Sequence, residues 1–176
     1  SIGIWLVAIF LLISYEGVRG SNGLKHRGLT GNVAIAAAIG MDVLFGSSAV
    51  SGTTDPKVIS LAIMAFFYSL AREIIKDIED MEGDIDRNTI PRSIGVDNAR
   101  SIAWIFTMAA FVSLFLPFIL EVFPTEHAIL VSPGGLLLML VKSKLFIGED
   151  RAAQRLIKRS LQISMIGVIA SAIIIG

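Results

Sequence analysis

The 176-residue chain contains no cysteine, which excludes disulfides, thiolate zinc sites, iron–sulfur clusters and cysteine nucleophiles. Charge is scarce: Asp, Glu, Lys and Arg make up 17% of the residues, against about a quarter in a soluble domain. Net charge is absent too, because 15 Lys and Arg balance 15 Asp and Glu, so overall charge gives no support to a nucleic-acid partner. The two histidines, His26 and His127, are far apart and share no ligand pattern, so neither is read as a metal ligand. Residues are instead 54% hydrophobic, with a mean hydropathy of +0.75. That composition excludes disorder, which needs low hydrophobicity and high net charge. The sequence opens at Ser1 inside an apolar run, with neither the basic start nor the small-residue cleavage site of a signal peptide. It is therefore expected to be the later part of a longer membrane protein.

Six apolar runs follow one another: Ile2–Ile13, Val33–Val50, Val58–Leu70, Ile102–Leu120, Ala128–Val141 and Leu161–Ile175. A helix crosses about 30 Å of hydrocarbon with about 20 residues. The fourth run meets that alone, and the second and sixth come close. For the shorter third and fifth runs, Thr54-Asp55-Pro56 and Pro133-Gly134-Gly135 supply helix starts or breaks. So many runs leave no polar shell for a soluble core, and the expected fold is all-α, a polytopic transmembrane helical bundle forming a single membrane domain over 1–176. If all six cross, the connections Tyr15–Gly28, Arg72–Arg100 and Lys142–Arg159 share one side. That side holds every Lys and Arg except Lys57, which places it in the cytoplasm and makes 72–100 a cytosolic acidic cap.

The cap holds the most informative passage, Arg72-Glu-Ile-Ile-Lys-Asp-Ile-Glu-Asp-Met-Glu-Gly-Asp-Ile-Asp-Arg87. Asp77, Asp80 and Asp84 stand at i, i+3 and i+7, which predicts one helix face, with Ile74, Ile75, Ile78 and Met81 largely opposite. Each close pair of like charges costs about 1 kcal/mol in water and about 4 kcal/mol at an intermediate dielectric. A hard divalent cation offsets that repulsion; Mg²⁺ takes one or two carboxylates and completes its shell with water and phosphate oxygens. Arg72, Lys76, Arg87 and Arg92 stand close by as phosphate partners. Carboxylates for a metal beside cations for phosphate make a diphosphate site, although the same run also reads as a solvated acidic face. Three acids on one helix cannot close an octahedral shell, so another element must contribute.

Arg72 to Asp84 resembles the second aspartate-rich motif, D-x-x-D-x-x-x-D, of the UbiA-type intramembrane prenyltransferases. Thr89-Ile90-Pro91 resembles the Thr-Leu-Pro that follows it there. Tyr15 and Leu24-Lys25-His26-Arg27-Gly28-Leu29-Thr30-Gly31-Asn32 resemble the family's Tyr-bearing helix end and its L-K-R-x-x-L-x-G-N stretch. The wording is most similar to the archaeal branch, the digeranylgeranylglyceryl phosphate synthases, and the resemblance covers the chain as the later six of nine helices. The family's first motif, N-D-x-x-D-x-x-x-D, is absent. The segments from Asp84 to Thr89 and from Tyr15 to Lys25 depart in length, the first shorter than usual and the second longer.

The resemblance implies Mg²⁺ held by Asp77, Asp80 and Asp84, with Asp80 and Asp84 as the principal catalytic acids. It makes Lys25, Arg72 and Lys76 contacts for an isoprenyl diphosphate, and gives Tyr15 a hydrogen bond to that diphosphate or a π face toward a carbocation. Asn32 is either a site residue or a helix-end polar group. The implied reaction transfers a geranylgeranyl group to a glycerol-phosphate lipid, geranylgeranylglyceryl phosphate, within the bilayer, and the earlier helices of the same protein complete the site. Two rivals stand beside it. One is a same-fold aromatic prenyltransferase of quinone or haem synthesis. The other is a transporter or channel with an acidic divalent-cation-binding loop, which needs ionisable residues inside the spans, where only Asp42 is central. Gly40, Gly46, Ser47, Ser48 and Ala49 are read as permitting close helix approach, and Trp104, Phe106, Phe111 and Phe115 as packing or as a tunnel lining. The basic stretch Lys142–Arg159 is read as a contact for anionic headgroups, with the acceptor's phosphate as a further reading.

Overall fold

The computed structural model describes residues 2–17, 23–51, 55–83 and 87–175, with the backbone alone at Lys25 and Ser51. Seven α-helices account for most of them: α1 (Ile2–Glu16), α2 (Leu29–Ser51), α3 (Pro56–Glu79), α4 (Ile90–Ile94), α5 (Val96–Ile119), α6 (Ser132–Phe146) and α7 (Asp150–Ile175). Short 3₁₀ turns cover Leu24–His26 and Thr125–Leu130. Among the described residues there is no strand, only an isolated parallel bridge between Arg27 and Asn88. The protein is an all-α membrane bundle.

Helices α2, α3, α5 and α7 are each long and apolar enough to cross a bilayer. The other two expected spans are shorter: α1 and α6 have 15 residues each, about 22 Å of helix. All six apolar runs nevertheless fall on helical segments, the fifth divided between the Thr125–Leu130 turn and α6. The start of α3 follows from local chemistry. The Asp55 side chain accepts from the Lys57 N–H at 2.8 Å, and Pro56 takes the first helical position, where no donor is required.

The centre is α3, which packs on α2, α5 and α7 and buries Met64, Tyr68, Leu70, Ala71, Ile74 and Ile75 almost completely. Facing positions are small (Ala36, Ala99, Ala103, Ala110), as expected where close approach rather than water exclusion holds helices together. At Gly40 an added Cβ would lie 3.2 Å from the Ala62 carbonyl, so that glycine does admit α3. Gly46 is exposed with nothing within 4 Å, and its expected role in close approach is corrected. Phe111 and Phe115 pack against Gly135 of α6, which supports the packing reading for those two rings. Hydrogen bonds supplement the packing. Ser160 donates to the Gly134 carbonyl at 2.7 Å, which leaves the Tyr68 hydroxyl to donate to Ser160 at 2.8 Å. The outside is apolar, with Phe10, Ile105, Val112 and Ile166 more than half exposed, the reverse of a soluble surface and suited to lipid tails.

Two ends result. Lys57 lies over the Phe123 ring, and His127 Nδ1 meets Ser171 Oγ at 2.9 Å, at one end. At the other, Arg100 pairs with Asp150 at 3.1 Å, Arg151 with Glu79 at 2.5 Å, and Arg27 bridges to Asn88. The charged connections therefore gather at one end of the bundle, as strict alternation of the six segments requires.

Candidate active site

At the charged end, α3 stops after Glu79. Asp80 caps it, donating its N–H to the Lys76 carbonyl at 2.9 Å, and a turn follows in which Gly83 N–H reaches the Asp80 carbonyl at 3.0 Å. Arg92, from α4, donates Nη2 to the Met81 carbonyl at 2.6 Å and secures that turn. The expectation of one continuous helix face carrying Asp77, Asp80 and Asp84 is thus corrected. The reason is electrostatic: a helix C-terminus is partially negative, and Glu79, Asp80 and Glu82 crowd it with more negative charge. Gly83 adds a poor helix former. Asp84 lies outside the described residues.

Asp77 requires a second correction. It is not opposite the isoleucines but buried alongside them, 6% exposed, and faces α2. There its Oδ2 accepts from Asn32 Nδ2 at 2.8 Å, and Asn32 is 4% exposed. A buried carboxylate needs such a donor, since an unpaired one would carry its full desolvation penalty. Sequence reasoning named both residues but did not join them; 45 positions separate them, and no local spacing signals the contact.

The loop before α2 is what brings Asn32 into position. Gly28 adopts φ +52, and a Cβ there would come within 3.1 Å of the Asn88 carbonyl, so the chain at 27–28 lies directly along 88–90. The segment after the acidic turn is thereby fastened to the start of α2. Thr89 is 1% exposed, and its hydroxyl is, among the described residues, the one buried side-chain oxygen or nitrogen without a partner. Its neighbours Asn88 and Ile90 line a cavity of about 350 Å³ with His26, Arg27, Gly28 and Ser93.

The remaining expected residues are distributed around this junction. Arg72 and Lys76 both turn to Glu73, at 3.2 and 3.7 Å. Tyr15 is half-buried at the end of α1, and Gly23 packs directly on the Tyr15 and Glu16 carbonyls, two residues ahead of the backbone of Lys25. Asp80 is exposed at the rim. The structure therefore joins Asn32 to Asp77 and both cations to Glu73, and it lays the Lys25 turn against the Tyr15 helix end. Among the described residues it forms no hydrogen bond from the Tyr15 side chain. Contacts not anticipated are those of Glu79, which accepts from Arg151 Nε and, at 2.6 Å, from Gln154 Nε2 on α7.

Among the described residues no three acids or histidines gather as a ready metal site. Asp77 Oδ1 and the Asp80 carboxylate are hard oxygen donors of the kind Mg²⁺ accepts when water and phosphate oxygens supply the rest. The donor set fits that ion in kind and needs partners beyond these two side chains. Asp42, the one central ionisable residue of the spans, is exposed on α2.

The sequence profile of the UbiA prenyltransferase family matches residues 1–166. Among similar curated proteins, digeranylgeranylglyceryl phosphate synthase of Archaeoglobus fulgidus is 35% identical over 148 residues, 81% of this chain and 50% of the relative. Those of Haloquadratum walsbyi and Methanopyrus kandleri are 32% and 31% identical, over 83% and 84% of this chain and 50% and 55% of theirs. The chain thus spans about half the length of the curated relatives it matches. No solved structure matches it. An acidic turn closing an apolar helix, fastened to the loop at the neighbouring helix start, and a family profile running through nearly the whole sequence lead to one conclusion: the chain belongs to the UbiA prenyltransferase family.

Proposed function

We propose that this chain carries the second aspartate motif of a prenyltransferase that moves a geranylgeranyl group from its diphosphate to geranylgeranylglyceryl phosphate. The observation that carries the reading is the junction of Asn32 and Asp77 beside the exposed Asp80, where an acidic helix end meets the loop that holds Lys25. The names of the relatives support the choice of acceptor over an aromatic one. Mg²⁺, when bound, would neutralise charge on the departing diphosphate.

The chain's own groups do the rest. Asn32 holds one Asp77 oxygen, which leaves the other as a donor that would help to hold Mg²⁺, and Asp80 and Asp84 would supply further oxygens. Lys25 and Lys76 bind diphosphate oxygens, with Arg72 beside them; Lys76 and Arg72 exchange Glu73 for the more highly charged ligand. The C1–O bond of the allylic diphosphate breaks, with the electron pair leaving on the diphosphate. C1 bonds to the acceptor's hydroxyl oxygen, whose proton is released. Tyr15 presents its ring to the electron-poor carbon or its hydroxyl to the leaving group. The 176 residues form one membrane domain, the C-terminal portion of the whole protein, with the polar 72–100 cap and the other basic connections on the cytoplasmic side. The donors still needed come from a segment outside these residues, in keeping with the half-length match to the relatives.

Replacing Asp80 and Asp84 together by Ala in the full-length protein tests the reading. Mg²⁺-dependent transfer of a radiolabelled geranylgeranyl group is expected to drop by about 10³-fold or more, with thermal unfolding unchanged because Asp80 is exposed. Transfer that survives both changes would overturn it.

A further inference from the structure

Around α3 from the Asn32–Asp77 contact lies a notch of about 240 Å³ between α3 and α7, lined by Arg72, Glu79, Arg151, Gln154, Arg155 and Lys158. Its size is below that of pockets for drug-sized ligands and suits a headgroup. Four cations from two helices face a single lining carboxylate, and both oxygens of that carboxylate are occupied, by Arg151 Nε and Gln154 Nε2. Among the described residues the Nη groups of Arg151 make no hydrogen bond. Arg155 and Lys158 have no hydrogen-bond or ion-pair partner among the described residues. Arg151, Arg155 and Lys158 stand at i, i+4 and i+7, which puts all three on one exposed side of α7, at the open edge of its packing on α3. Even if Glu73 is counted against Arg72, the notch keeps an excess of two positive charges. A larger neighbouring cavity shows why charge decides here: its rim sets Arg100, Arg151 and Arg155 against Glu79, Glu82, Glu149 and Asp150, one negative charge in excess, so it does not favour an anion.

Position narrows the ligand further. Lys158 stands three residues before Leu161, where the last apolar run enters the hydrocarbon, so an occupant of the notch sits at headgroup depth. On its other side, Glu79 directly precedes Asp80. A phosphate monoester carries close to two negative charges at neutral pH, matching the excess, whereas a bilayer phosphodiester carries one. We propose that this notch binds the phosphomonoester headgroup of a membrane lipid, which under the reading above is the acceptor, held with its glycerol toward Asp80. This inference rests on that reading only for the identity of the lipid.

The test uses the full-length protein in nanodiscs, with Arg155→Gln and Lys158→Gln combined and Arg159→Gln as a control outside the notch. The KM for the lipid phosphomonoester acceptor is expected to rise about tenfold or more while the KM for the isoprenyl diphosphate stays within about twofold. Native mass spectrometry supplies a readout independent of transfer: the wild type should retain a phosphatidate-type lipid over a matched phosphodiester, and the double variant should lose that preference. Loss of the preference in a protein that transfers no isoprenyl group supports the notch and removes the enzymatic reading. Equal retention by wild type and double variant overturns the notch, whatever the transfer rate. A rise in the donor KM instead of the acceptor KM overturns it as well, and equal affinity for soluble glycerol phosphate overturns the lipid assignment.

Discussion

Asp77 and Glu79 stand two residues apart on the last turn of α3 and are held in opposite ways. Glu79 faces α7 and has both oxygens engaged, one by a guanidinium, so its charge is compensated within the fold. Asp77 faces α2, and its hydrogen-bond partner is a neutral amide that takes one oxygen and brings no charge. The difference separates a carboxylate that fastens two helices from one whose hydrogen bond leaves its second oxygen for a cation. An acidic run is therefore not one feature: identical residue types along it divide into tether and ligand according to the helix each one meets.

The sharpest way to break this distinction is to remove each charge without changing shape. Asp77→Asn in the full-length protein should raise the Mg²⁺ concentration for half-maximal transfer by about a hundredfold. Glu79→Gln should leave that midpoint where it is and lower unfolding stability by no more than about 1 kcal/mol, the range of a partly exposed ion pair. Equal shifts of the Mg²⁺ midpoint in the two variants would show that the helix each acid faces does not decide its role.

The same pair of residues marks how far the sequence could be read. The six apolar runs carried the helices, because hydropathy is a local property, and Asp55-Pro56 carried the start of α3 for the same reason. The end of α3 was misplaced. The i, i+3, i+7 spacing of the acids suggested a continued face, while the repulsion between those charges and the helix end ended the helix at Glu79. Contacts between distant segments left no periodic trace: Asn32 with Asp77, 45 positions apart, and Glu79 with Arg151, 72 apart. Resemblance to a family named Asn32 and Asp77 separately. Only the packing of α2 on α3 joined them.

That junction can be tested as a pair. Asn32→Leu leaves a buried carboxylate oxygen without its donor and should cost about 1–3 kcal/mol of unfolding free energy in detergent. Adding Asp77→Leu removes both polar partners together and should restore most of that loss, since an apolar pair of similar volume satisfies the interior. The double variant should be folded and inactive. Stability that stays low in the double variant would mean that Asn32 supports α2 through some contact other than Asp77.

Two glycines on the same stretch of chain give the smallest and most local contrast. Gly28 combines φ +52 with a Cβ position 3.1 Å from the Asn88 carbonyl, so Gly28→Ala should cost about 1–2 kcal/mol from backbone strain, with a further loss if Asn88 is displaced. Gly46 lies inside α2 with open space around it, so Gly46→Ala should be neutral or stabilise the helix by up to about 1 kcal/mol. Thermal unfolding of the two variants in one detergent measures the difference directly. Gly28 matters beyond its own strain because it lies where the Arg27–Asn88 bridge fastens the segment after the acidic turn to the first turn of α2. Gly28→Ala should therefore weaken Mg²⁺-dependent transfer more than its stability loss alone explains. A variant that loses stability but keeps full transfer at a temperature where it is folded would show that this fastening is not required for the site.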